Sequence, residues 1–109
     1  MDLDPAPPLR HAWGLRVSDG TLEIGPDLAA ADPGPLSRAR CGRTLFDLAI
    51  RRRPGQIAFR MARRFGPAMP VRVRPSGVTP SAVVVDDHPV GGLPVSFLLE
   101  GTHEVVLYL

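Results

Sequence analysis

Apolar and polar positions alternate with a period of two along much of this chain, the spacing of a strand with one buried face. The pattern is cleanest after residue 70. Val71 and Val73 interleave with Arg72 and Arg74, and Val83-Val84-Val85 is a β-branched run. Val95-Ser96-Phe97-Leu98-Leu99 then leads through Glu100-Gly101 into His103-Glu104-Val105-Val106-Leu107-Tyr108-Leu109. Pro75-Ser76-Gly77, Asp86-Asp87-His88-Pro89 and Gly91-Gly92-Leu93-Pro94 supply turn chemistry between these runs. Short strands punctuated this way predict a mainly β fold, a small antiparallel β-sandwich or meander. Tyr108 and Leu109 end an apolar run, so the last residues are expected inside a sheet.

Upstream the pattern is less even. Residues 1–10 carry three prolines and read as a disordered lead, since proline denies both helix interior and central strand. Residues 11–25 read as a hairpin, with Ser18-Asp19-Gly20 at the tip. Residues 25–43 form a long connection rich in Pro, Gly, Asp and Ala, the expected mobile segment or boundary. Residues 44–66 admit two readings. As strands, Phe46, Leu48 and Ile50 share a face, Arg53-Pro54-Gly55 turns, and Ile57, Phe59, Met61 and Phe65 share the next. As helices, Thr44 caps residues 45–52 with Asp47 closing a capping box, and Ala58, Met61, Ala62 and Phe65 share one side of a second helix. The domain expectation is a module over 11–66, containing the 25–43 loop, and a second β module over 67–109.

Composition narrows the classes. The 109 residues hold 13 Pro and 11 Gly, a high share, but 44% hydrophobic residues suit a folded, turn-rich chain better than disorder. The lone Cys41 excludes an internal disulfide and an all-cysteine metal site. No apolar run is long enough for a membrane span, and the proline-broken acidic start is unlike a secretory signal. A cytoplasmic location is expected from that start, and an envelope-facing one if the chain belongs to a larger protein. All 13 cationic side chains are Arg; this absence of Lys, beside abundant Pro, Gly and Ala, suits a GC-rich bacterial genome.

The formal charge of +2 conceals a strong asymmetry. Residues 38–74 hold eleven Arg against Asp47 alone, whereas residues 1–37 hold two Arg and six acids. Residues 75–109 hold four acids and no Arg. A basic middle between acidic ends points either to an anionic partner or to internal neutralisation. Arg51, Arg52, Arg53, Arg60, Arg63, Arg64, Arg72 and Arg74 are the candidate anion- or partner-binding residues. On strands Arg60, Arg64, Arg72 and Arg74 would project from outer faces and form one cationic surface with Arg51, Arg52 and Arg53 at the loop. On helices Arg60, Arg63 and Arg64 would ride the second helix of a helix-turn-helix pair. Phe59 and Phe65 suit a core face better than a base-stacking platform.

The run from Ala82 to Leu107 carries a further pattern. Val83 and Val85, Asp86, Val90-Gly91, Pro94, Gly101 and His103 follow one another in an order and spacing that resemble the PEGA family. Asp87 stands where that family usually has Gly, Glu100 where it has Pro, and the closing glycine-aromatic pair is missing. A weaker echo runs from Gly42 to Met61 around Pro54-Gly55, so two tandem β modules are an alternative to one. The resemblance implies a small, mainly β bacterial module with a structural or binding role and no recognised active site.

Catalytic and metal chemistry finds little footing. His88, His103, Asp86, Asp87 and Glu104 match no ligand spacing, and turn carboxylates with a strand-end histidine describe them better. Cys41 lies among Arg38, Arg40 and Arg43, which would lower its thiol pKa, yet it reads as a bystander in a loop without a nucleophile's partners. No catalytic residue, cofactor, metal or small-molecule substrate is therefore expected. The leading expectation is a non-enzymatic module for protein–protein interaction or self-association, with an exposed edge strand near the C-terminus open to strand addition. The alternative is a small nucleic-acid-binding or regulatory protein using the central arginines.

Overall fold

The computed structural model describes Leu3 and residues 5–109. The chain is mainly β: the described residues form one short helix and ten strands in two sheets that enclose a common core. The helix α1 (Pro7–Trp13) precedes β1 (Arg16–Ser18) and β2 (Thr21–Ile24). β3 (Leu36–Cys41), β4 (Thr44–Arg53), β5 (Gln56–Phe65) and β6 (Met69–Val73) follow. β7 (Ala82–Val85), β8 (His88–Val90), β9 (Val95–Leu99) and β10 (Thr102–Tyr108) complete the chain. One sheet has the order β1-β2-β6-β9 and the other β3-β4-β5-β10-β7-β8.

The ambiguous stretch 44–66 is the long β4–β5 hairpin. Phe46, Leu48, Ile57, Phe59 and Met61 are buried on its inner face. Pro54-Gly55 makes the two-residue turn, with Gly55 at φ 76°. Strands win here because two ten-residue segments of strict alternation each gain a neighbour on both sides. All strand pairs are antiparallel except β2 with β6, which run parallel.

Residues 7–10, expected to be disordered, belong to α1. Pro7 and Pro8 occupy the first helical positions, where a missing N–H costs nothing. The helix stops at Gly14, in the left-handed region at φ 59°, whose N–H returns to the Arg10 and His11 carbonyls. Its one buried residue is Trp13, so residues 11–13 are helical rather than the first arm of a hairpin. A side chain at Gly14 would also strike the carbonyl of Gly25, whose own N–H donates to Trp13 O at 3.1 Å.

The long connection is shorter than expected and pinned. β3 takes residues 36–41 out of it. Trp13 Nε1–H donates to Gly34 O at 2.9 Å, Arg52 pairs with Asp32 at 2.7 Å, and the Leu28 N–H donates to Ser76 O at 2.8 Å.

Segments 11–66 and 67–109 do not form separate sheets. β5 pairs with β10 over seven residues, and β2 pairs with β6, so each sheet draws strands from both halves. Trp13, Leu22, Phe46, Phe59, Val71, Leu99 and Leu107 all belong to one cluster of buried side chains. The final strand is central: Tyr108 lies between Gln56 and Ala82, and the Leu109 N–H reaches Gly55 O. The exposed strand edges near the C-terminus are therefore β8 and β9, not β10.

Candidate functional site

The candidate arginines divide among several places. Inner positions on β4 and β5 run through Phe46, Leu48, Phe59 and Met61, so the alternate residues Arg51, Arg53, Arg60 and Arg64 stand on the outer face of the six-stranded sheet. Arg72 lies between buried Val71 and Val73 and projects from the other sheet, with Arg74 just past its end. The single cationic surface expected over Arg51, Arg52, Arg53, Arg60, Arg64, Arg72 and Arg74 is absent, because two sheets present their outer faces in opposite directions.

Four of the eight are consumed internally. Arg52 holds Asp32 through two nitrogens, each at 2.7 Å, and donates to Leu28 O at 2.6 Å. Asp32 keeps this guanidinium protonated beyond its usual range, with burial working against it. Arg63 donates to Glu100 O at 2.8 Å and Gly66 O at 2.6 Å, tying the end of β5 to two loops. Arg64 pairs with Asp47 at 2.8 Å. Arg72 belongs to a row in which Arg16, Glu23, Arg72 and Ser96 stand side by side on four adjacent strands. Arg16 meets Glu23 at 2.8 Å, Arg72 lies 3.7 Å from the same carboxylate, and its Nε–H reaches Ser96 Oγ at 3.3 Å. The Arg16 hydrogen bond, against a burial effect, holds the Glu23 carboxyl below its usual range, helped by the charges of Arg16, Arg74 and Arg72.

Arg51, Arg53, Arg60 and Arg74 have no such partner. Among the described residues none of them forms an ion pair or a side-chain hydrogen bond. Arg51 stands opposite Ala58 and Arg60 opposite Ala49, so arginines and alanines occupy the two diagonals of one square of the sheet. Gln56 faces Arg53 in the next row, and Glu104 on β10 faces Arg60 from the other side. Because the alanines end at Cβ, they leave a depression of about 230 Å³ walled by Arg51, Arg53, Gln56, Arg60 and Glu104. Beyond it the face turns apolar, with Val106 and Val84 in line with Ala58, and Tyr108 beside them. Sequence alternation located these arginines; which of them lack a carboxylate depends on Asp32, Asp47 and Glu23 being delivered by other strands and loops.

The residues that resemble the PEGA pattern meet at one end of the sheet. Asp86 and Asp87 form the two-residue turn between β7 and β8, at φ 49° and 66°. Asp86 accepts from His103 Nδ1–H at 2.7 Å and from the Glu104 N–H at 2.8 Å. With its Nδ1 donating, His103 accepts at Nε2 from the N–H groups of Glu100 and Gly101, both at 3.3 Å. Phe97 packs against the imidazole at 5.1 Å between ring centroids. His88 Nδ1–H donates to the Asp86 carbonyl at 2.8 Å. Burial opposes ionisation of Asp86, but the hydrogen bonds from His103 and the Glu104 N–H outweigh it and lower its pKa. Two turns are thus locked together through one carboxylate.

Cys41 is buried at the end of β3, not in a loop. Burial pushes its thiol pKa up, the reverse of the lowering expected from neighbouring arginines, whose heads project into water. Phe65, expected in the core, is 70% exposed. A bulge makes Leu45 face Phe65 while Phe46 faces Arg63, and that one-residue slip turns Phe65 outward. Among the described residues no helix is long and apolar enough to cross a membrane. Comparison with protein-family models, with curated proteins and with solved structures finds no match to this chain.

Proposed function

We propose that this chain is a non-enzymatic β module that binds an acidic surface of another protein through the outer face of its six-stranded sheet. The observation that carries this reading is the unpaired state of Arg51, Arg53 and Arg60, gathered around one depression of the outer face, whereas Arg52, Arg64 and Arg72 on the same or neighbouring strands each meet a carboxylate. An arginine with nothing to satisfy it gains most from a carboxylate brought by a partner. The half-buried Val84 and Ala58 next to it, with Val106 nearly covered between them and Tyr108 exposed alongside, suit a protein interface, in which a dry centre adjoins charged groups. A nucleic-acid partner is disfavoured because Glu104 stands within the basic area and Tyr108 is the face's one aromatic residue near it. The bacterial, PEGA-like character expected from the turn residues agrees with a binding role and supplies no chemistry of its own.

Self-association and duplex binding are separated by measurement. Sedimentation at low and at physiological salt, with the Arg51→Glu/Arg60→Glu double variant as control, reads assembly through this face. Gel shift with random duplex DNA at low salt reads the alternative, which loses affinity steeply as salt rises. Tight DNA binding abolished by the double variant would replace the protein-partner reading with the nucleic-acid one.

A further inference from the structure

Beyond recognising an acidic surface, the geometry points to a defined carboxylate-binding subsite in the square formed by Arg51, Ala58, Ala49 and Arg60. We infer that it seats one Asp or Glu side chain of an acidic peptide segment of a partner protein. The inference rests on the reading above and adds where the carboxylate sits and why one is selected.

Three features build the subsite. Diagonal positions on adjacent antiparallel strands lie about 7–8 Å apart, a separation that two long guanidinium side chains can close on one carboxylate between them. The alanines at the other two corners keep the floor open, and the resulting depression of about 230 Å³ accommodates a carboxylate with its short stem. Glu104 faces Arg60 across the strand pair and closes the site on the β10 side. Its negative charge repels a second anion, so the site takes an isolated carboxylate in preference to a run of phosphates. Its free oxygens can accept a backbone N–H of the incoming peptide, which a polyphosphate lacks.

Fluorescence anisotropy tests this with a labelled peptide of alternating Glu and Gly, inorganic phosphate as competitor, and a duplex of about 20 base pairs as second ligand. At about 50 mM salt, Arg60→Ala is expected to weaken peptide binding about tenfold, and Arg51→Ala by a similar factor. Ala58→Leu fills the depression without altering charge and is expected to weaken it at least about fivefold. Glu104→Gln is expected to raise phosphate competition and duplex affinity relative to peptide. Circular dichroism and melting temperature establish that each variant is folded, and Arg51→Ala with Arg60→Ala provide two independent charge tests.

The failures are distinct. Peptide binding that ignores Ala58→Leu but falls with Arg60→Ala overturns the subsite and leaves a diffuse basic face in place. Peptide binding unchanged by Arg51→Ala and Arg60→Ala overturns the subsite and moves the interaction elsewhere. No peptide binding combined with arginine-dependent duplex binding overturns the protein-partner reading itself. No binding of either ligand overturns both.

Discussion

Asp86 does more than fill a turn. Its two carboxylate oxygens accept from His103 and from the Glu104 N–H, so one side chain joins the β7–β8 turn to the β9–β10 corner. Asp86→Ala is expected to cost about 1–2 kcal/mol by denaturant unfolding, since it leaves both donors without their partner. The sign of the pH effect follows from the lowered pKa. Its contribution is whole above the ordinary carboxyl value of 3.8 and is lost as pH falls through the lower folded value. The stability gap between the native chain and Asp86→Asn should therefore narrow only on acidification below about pH 4. Asp87, at φ 66°, occupies the turn position that glycine adopts without steric cost. Asp87→Gly is expected to raise stability by about 0.5 kcal/mol, the left-handed penalty slightly exceeding the entropy that glycine adds to the unfolded chain.

Among the elements, the β4–β5 hairpin shows how far alternation carries and where it stops. Phe46 through Met61 sit on the face that their spacing assigned. Phe65 does not, because a bulge at the open end of the hairpin adds one residue to β5 and reverses the faces beyond it. Nothing in the residues 63–65 marks that insertion, and Gly66 follows directly after it. This glycine has φ 90°, and a Cβ there would drive into the Arg43 carbonyl. Gly66→Ala is expected to destabilise by at least about 2 kcal/mol, read as a lowered urea midpoint. Phe65→Thr, by contrast, should change stability by no more than about 0.5 kcal/mol, because the ring is already in water. The helix was hidden for a similar reason. Pro7 and Pro8 look like breakers in sequence, and only the burial of Trp13 and the Gly14 cap turn them into a helix start.

At the scale of the whole molecule, both sheets mix early and late strands around one core, and unfolding is expected to be a single cooperative transition by fluorescence and far-ultraviolet circular dichroism. Non-coincident transitions would instead report two units. What the sequence determined by itself is local: strand character, turn positions, inner and outer faces, and the concentration of arginine between residues 38 and 74. Those features depend on neighbours within a few positions, through the pleat and through the conformational limits of Gly, Pro and Asp. Which strands pair, and therefore which arginines find carboxylates, was decided by tertiary structure. Asp32 is twenty residues from Arg52, and Glu23 reaches Arg72 only because β2 and β6 run side by side. Arg51, Arg53 and Arg60 are among the arginines left over from that pairing; alternation separates them from Arg52, but no local pattern distinguishes them from Arg64. Their availability is a property of the assembled sheets, because charge is satisfied through space and not along the chain.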